Sequence, residues 1–194
     1  HRDLHSFPTR RSSDLLEKNI KTISSPNTNI IDSYYYENSA FIAEIFESKQ
    51  DCEKKYLFNL GIEEGFVQEM PMYKNIIKTR LNRINNEYIS DLGEKITQYQ
   101  KQIQFLLQNF SPNLNSGNIF KLSLYIAIEV LKLPNLFPLL VDPYIEEIFL
   151  DSEQDWIYLN HQKYGKCNTN IKLNSDEIEA LKTQIGRASC RERV

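Results

Sequence analysis

The segment that decides the fold begins with PLLVDPYIEEI at residues 138–148. It continues with IYLNHQKYG at residues 157–165 and TNI at residues 169–171. Short apolar runs bounded by polar turn residues predict strands near residues 147–150, 156–160 and 169–173. Asn174 or Ser175 then caps a helix whose first turn carries Asp176 and Glu177, as the helix dipole favours. We therefore predict a small α/β unit in this part of the chain.

Upstream of this segment, three further runs are rich in Tyr, Ile or Phe and are separated by polar turn residues. They cover residues 30–36, 40–47 and 54–60. This pattern predicts a short antiparallel β meander. Tyr34, Tyr35 and Tyr36 are predicted to pack on the sheet, because aromatic side chains suit a half-buried pleated surface.

The middle of the chain has helical periodicity. After Pro71, apolar residues recur every three or four positions from Ile77 to Phe110, which predicts one amphipathic stripe. Ser90, Asp91 and Gly93 offer a hinge, so we predict either one long bent helix or a helix that begins twice. Residues 117–133 predict a buried helix, and residues 133–140, with two prolines, predict a linker. The expected fold class is α+β: a short antiparallel meander, a long amphipathic helix with a buried helix, and the small α/β unit.

The two ends of the chain are related through their coding DNA. Back-translation of residues 1–15 gives a string whose reverse complement encodes IGRASCRERV, residues 185–194. This DNA resembles a sequencing-library adapter, so we exclude both ends from fold reasoning and expect them to be unstructured. The kinase-like HRDL at residues 1–4 is excluded with them. The expected division is an artefact at 1–15, a linker and β meander at 16–71, a helical segment at 72–133, a truncated α/β domain at 134–184 and an artefact at 185–194.

Composition excludes several function classes. The net charge is −3, which argues against a phosphate-backbone interaction with nucleic acid. Between the excluded ends, Cys52 and Cys167 have no paired spacing that would indicate a disulfide or zinc site, and His161 is the one histidine. Metal sites based on histidine and Ser/His/Asp triads are therefore disfavoured. The most apolar stretch, residues 119–141, is interrupted by charges and prolines and does not predict a membrane span.

The residues of the deciding segment have structural explanations. Asp142-Pro143 predicts a turn in which the carboxylate accepts from backbone N–H groups. Glu146 and Glu147 would point to opposite sides of an extended strand, which disfavours a general acid–base pair. His161 is expected to be a hydrogen-bonded hairpin residue rather than a ligand, and Gly165 suits a turn with unusual φ.

The ordered series of three motifs resembles the second half of the N-terminal region of type II/type IV secretion ATPases, and the archaeal archaellum and pilus motors most closely. That family has P-L-[LM]-x-D-P-x-I-E-[ED]-I, then V-Y-V-x-H-R-K-Y, then T-N-I. Here Gln162 replaces the frequent arginine, and residues 151–155 replace a small glycine-containing turn. The residues carried over, all expected to be structural, are Asp142, Pro143, Ile145, Glu146, Glu147, Ile148, Tyr158, His161, Lys163, Tyr164, Gly165, Thr169 and Asn170.

The resemblance implies a cytoplasmic parent at the inner face of the membrane, a homo-hexamer that binds ATP and Mg²⁺ through a P-loop. No G-x-x-x-x-G-K-[ST] occurs here, so we expect no catalytic, cofactor or metal site in this fragment. The implied partners are its own motor domain, neighbouring subunits and a polytopic membrane platform protein, with no nucleic acid and no small-molecule substrate. Its helices would transmit motion through a face with exposed Lys78, Lys95 and Lys101. The alternative is a standalone α+β interaction or scaffold module without enzymatic activity.

Overall fold

The computed structural model describes residues 28–48, 53–62, 64–81, 92–150, 156–180 and 182, and both predicted adapter peptides lie outside these ranges. Its architecture is α+β, as the sequence predicted. The elements in chain order are β1 (Thr28–Tyr36), β2 (Phe41–Ser48), β3 (Lys54–Leu60), α1 (Glu64–Leu81), α2 (Leu92–Phe110), α3 (Ser116–Val130), α4 (Leu136–Val141), β4 (Ile145–Phe149), β5 (Tyr158–His161), β6 (Gly165–Thr169) and α5 (residues 175–180).

The described strands form one mixed sheet in the order β1-β2-β3-β6-β5-β4. Strands β1, β2 and β3 make the predicted antiparallel meander, and β4, β5 and β6 make a second antiparallel unit. The two units are joined by parallel pairing of β3 with β6, in which Lys54 lies opposite Cys167 and Tyr56 opposite Thr169. A parallel pair requires a long crossover, and helices α1 to α4 lie within it.

The core lies between the helices and one face of the sheet. Helix α3 is apolar on most sides and supplies fully buried side chains, including Leu122, Ile126 and Ile128, as its sequence predicted. The sheet contributes Phe41, whose ring centroid lies 6.4 Å from that of Phe137 in α4. Burial of this apolar surface is the main contribution to folding.

Two helix boundaries differ from the predictions because proline was interpreted as a break. Helix α1 begins at Glu64 and contains Pro71, with buried Met70 and Tyr73 close by. The predicted linker at residues 133–140 contains α4, in which Pro138 is the third residue. A proline in the first helical turn removes an N–H that has no intrahelical partner. Of the predicted hinge, Ser90 and Asp91 lie outside the described part of the chain, and Gly93 is the second residue of α2.

The last strand also differs from its prediction. It covers Gly165–Thr169 rather than residues 169–173, because its register is set by parallel pairing with β3. Of the two candidate caps, Asn174 accepts a hydrogen bond from Glu177 N at 2.9 Å. Glu177 Oε2 accepts in return from Asn174 N at 3.3 Å, which completes a capping box at the start of α5.

Candidate functional site

The centre of the candidate site is the carboxylate of Asp142, which follows α4 and is 4% exposed. Its Oδ1 accepts from Tyr144 N at 2.9 Å, so the expected turn forms. Its Oδ2 accepts from the hydroxyls of Tyr56 at 2.6 Å and Tyr34 at 2.8 Å. These two donors lie 86 and 108 positions away in the chain. Together the three donors replace the water that a buried carboxylate loses.

His161, at the end of β5, is 2% exposed and engaged at both ring nitrogens. Its Nδ1 accepts from Lys163 N at 3.1 Å, so the neutral ring must carry its proton on Nε2. Nε2 lies 3.0 Å from the hydroxyl of Tyr34, which itself donates to Asp142. Hydrogen bonds therefore run from His161 through Tyr34 to Asp142. We refer to Tyr34, Tyr56, Asp142 and His161 as the Asp142 cluster.

Burial fixes the protonation states within the Asp142 cluster. It raises the pKa of Tyr34 and Tyr56 far above the ordinary tyrosine value, and the negative charge of Asp142 adds to the effect. Burial also lowers the pKa of His161, although the carboxylates of Asp142 and Asp32 oppose that shift. The tyrosines thus remain hydrogen-bond donors, and the imidazole is held in its neutral form.

A second group of contacts connects the turn after β5 to strand β1. Asp32 Oδ2 accepts from the Tyr164 hydroxyl at 2.6 Å and from Lys163 Nζ at 3.0 Å. The hydrogen bond from Tyr164, and then that from Lys163, lowers the pKa of Asp32. Tyr144 completes the surroundings of His161, with the two rings stacked at 5.9 Å.

Glu146 and Glu147 lie at an irregularity of β4. A β-bulge between Ile145 and Glu147 interrupts β4, so the assumption of a regular extended strand is wrong here. Glu147 pairs with Asn160, and the Asn160 side chain also donates to Glu146 Oε2 at 3.0 Å. Both carboxylates are exposed, which suits a surface contact.

The other motif residues support the local strands and turns. Thr169 Oγ1 donates to Ile157 O at 2.8 Å and accepts from Ile171 N at 3.1 Å. Gly165 has φ +69°, in the left-handed region that favours glycine. The remaining members are exposed Pro143, half-buried Ile145, Ile148 and Asn170, and Tyr158, whose ring lies 4.8 Å from Lys166 Nζ.

The structure brings Asp142, His161, Lys163 and Tyr164 together with residues that the sequence did not single out. The sequence predicted the tyrosines of β1 only as sheet packing, and Tyr56 and Asp32 were not assigned a role. One signal was present: Tyr34 and Tyr36 alternate and so share a face, while Tyr35 is 64% exposed. A buried Asp142 needs O–H or N–H donors, and the tyrosine-rich meander can supply them.

The arrangement is suited to positioning backbone segments. The Asp142 carboxylate accepts three hydrogen bonds, and both nitrogens of His161 are engaged within the protein. Among the described residues, no group of three or more His, Cys, Asp or Glu side chains could hold a metal ion. None of the described helices combines the length and the apolar character needed to cross a bilayer.

Comparison with known proteins gives one informative similarity. No family model matches the sequence. The chain is 28% identical over 162 residues to an uncharacterized protein of Methanocaldococcus jannaschii. The alignment covers 82% of this chain but 21% of that protein, so the chain spans about a fifth of the length of its archaeal relative.

Proposed function

We propose that this chain is the N-terminal, non-catalytic coupling and docking portion of a secretion-type motor ATPase that powers pilus, archaellum or protein secretion. The motif series at residues 138–171 motivates the proposal through its resemblance to that family. In the parent, a downstream P-loop domain binds ATP and Mg²⁺, and the subunits form a homo-hexamer. The parent is cytoplasmic and docks on a polytopic membrane platform protein at the inner face of the membrane.

The observation that carries the proposal is the set of contacts that the motif residues make with the first three strands. Asp142 and His161 hydrogen-bond to tyrosines of β1 and β3, and Lys163 binds Asp32 of β1. The motif series thereby ties the second strand unit to the first, in addition to the β3–β6 pairing. A region that transmits movement between a motor and a partner has to move as one rigid body, which such cross-links favour.

The length of the archaeal relative is consistent with this proposal. That protein extends well beyond the aligned part, as a protein with a separate motor domain would. Its name assigns no activity, so the similarity supports the domain arrangement and leaves the motor activity to be tested.

The proposed docking face lies on the helices and is smaller than the sequence predicted. Lys78 of α1 and Lys101 of α2 are exposed. Lys95 is only 9% exposed, so the prediction that it lies on the surface is wrong. Its position in α2 beside Ile96 and Tyr99 turns it toward the protein interior. Phe105, which is 65% exposed, adds an apolar side chain to the exposed part of α2.

The complete reading frame tests the motor proposal directly. We expect a G-x-x-x-x-G-K-[ST] motif and an acidic Walker B strand downstream, and Mg²⁺-dependent ATP hydrolysis by hexamers of the full-length protein. Lys78→Glu and Lys101→Glu should weaken binding to the membrane platform protein. Lys166→Glu, an exposed change on the sheet, is the control and should leave binding unchanged. A complete gene without a P-loop would overturn the proposal.

A standalone interaction or scaffold module without enzymatic activity is the second candidate. It is favoured by the hydrogen bonding within the Asp142 cluster, because these polar groups bond to one another and hold the fold together. A stop codon soon after residue 184 in the intact gene would support this candidate. So would a full-length protein that stays monomeric with and without nucleotide.

A further inference from the structure

Strand β1 contacts the turn between β5 and β6 even though β2 and β3 lie between β1 and β6 in the sheet. The Tyr34 hydroxyl lies 3.0 Å from His161 Nε2, and Asp32 binds both Lys163 and Tyr164 of the turn. These side-chain contacts span 127 to 132 positions of the chain. We call them the β1 contact. They lie beside the hydrogen bonds that Tyr34 and Tyr56 donate to Asp142.

The His161 half of the β1 contact requires a neutral imidazole. Nδ1 has to present a lone pair, because the backbone N–H of Lys163 donates to it at 3.1 Å. Protonation places a hydrogen on Nδ1, so two N–H donors then face each other. The ring can relieve this conflict only by turning or leaving its site, which also ends the contact of Nε2 with Tyr34.

We propose that His161 is an acid-sensitive latch, and that its protonation releases the β5–β6 turn from Tyr34 of strand β1. The inference does not depend on the proposed function, since it concerns only the described fold.

Several charged groups around His161 act on its protonation. Asp142, Asp32 and Glu146 attract a proton to the ring, while burial and Lys163 oppose it, and burial dominates. The hydrogen bonds from Tyr164 and Lys163 lower the pKa of Asp32, so its carboxylate stays ionised to lower pH than an ordinary aspartate. The titratable and charged groups that face or influence the ring are Asp32, Tyr34, Tyr36, Tyr56, Asp142, Tyr144, Glu146, Lys163 and Tyr164.

The direction of the pH effect follows from the lowered pKa. The unfolded chain binds a proton at His161 near pH 6.5, whereas the folded chain binds it only at lower pH. The stabilising contribution of neutral His161 is therefore fully present above pH 6.5. It decreases as the pH falls towards the pKa of the folded state, by at most about tenfold per pH unit in the folding equilibrium constant.

Amide hydrogen exchange in the full chain tests the latch, with Lys163 N as the reporter. Its protection, corrected for the intrinsic exchange rate at each pH, should decrease by up to about tenfold per unit below pH 6.5. The amide of Thr169, which donates to Ile157 O at 3.1 Å, lies outside the latch, and its protection should stay above that of Lys163 over the same range.

The matched variant is His161→Asn, because the asparagine carbonyl can accept from Lys163 N at the position of Nδ1 but does not titrate. In this variant the protection of Lys163 should not depend on pH. The same loss in His161→Asn, or constant protection of Lys163 in the unmodified chain, would overturn the proposal. Should the variant fail to fold, NMR titration of the His161 ring decides: the loss of Lys163 protection must level off at the midpoint of that titration, and a mismatch rejects the latch.

Discussion

Asp142 Oδ2 accepts hydrogen bonds from two tyrosine hydroxyls, and the bond from Tyr56, at 2.6 Å, is the shorter one. Tyr56→Phe would remove this donor and leave a buried carboxylate with one fewer hydrogen bond. Because hydrogen bonds to charged groups contribute more than neutral ones, we expect the free energy of unfolding to fall by about 1.5–3 kcal/mol. Urea denaturation followed by circular dichroism measures this loss.

Tyr35→Phe is the matched control for that substitution. Tyr35 lies in β1 on the opposite face from Tyr34 and is 64% exposed, so its hydroxyl is free to bond water. We expect a change within about 0.5 kcal/mol. Equal losses for the two substitutions would show that the Tyr56 hydroxyl has no special role at Asp142.

The sequence predicted only part of the candidate site. Asp142, His161 and Gly165 could be assigned to a turn and a hairpin, because their roles depend on neighbours within a few residues. The tyrosine donors could not be assigned, because they reach Asp142 through contacts 86 and 108 positions apart. Such partners become visible only when the strand order is known.

At the scale of elements, α1 and α3 are joined by a buried ion pair. Lys74 Nζ lies 2.9 Å from Glu129 Oε1, and each side chain is 11% exposed. Lys74 also lies 4.7 Å from the centroid of the Tyr125 ring. Lys74→Met would leave the Glu129 carboxylate buried without its cation, so we expect the free energy of unfolding to fall by about 3–5 kcal/mol. Urea denaturation provides the measurement.

The exposed pair of Lys132 and Asp176 supplies the comparison. Its side chains are 58% and 65% exposed, so Lys132→Met should cost about 0–1 kcal/mol. Combining Lys74→Met with Glu129→Met should recover much of the loss, since it removes both buried charges. A loss at Lys74 no larger than that at Lys132 would contradict a structural role for the buried pair.

The elements themselves were predicted best where local pattern decides them. The meander was predicted because its three strands are adjacent in the chain and alternate with turn residues. The start of α1 was missed because a proline inside a helix is unfavourable, and this cost can be read from the sequence. The burial of Met70 and Tyr73 beside Pro71 depends on tertiary contacts, which the sequence does not reveal. The last strand was predicted a few residues too far along the chain for a similar reason, because its parallel partner lies in the first third of the chain.

At the scale of the whole molecule, the two predicted adapter peptides offer a direct test. Removing residues 1–15 and 185–194 should change the free energy of unfolding by no more than about 0.5 kcal/mol, because these peptides are not expected to belong to the core. Thermal and urea denaturation of the full and shortened chains would measure the difference. A loss above about 1 kcal/mol would contradict the adapter interpretation.

The parallel pairing of β3 with β6 also has a consequence for synthesis on the ribosome. Lys54 precedes its partner Cys167 by more than a hundred residues, so β3 emerges long before the strand that covers its edge. At typical translation rates of about 5–20 residues per second, the gap lasts roughly 5–20 s. During that interval the nascent meander presents an unpaired edge and the apolar face with Phe41 and Ile45. Another chain can pair with such an edge, and a chaperone that covers it would prevent this.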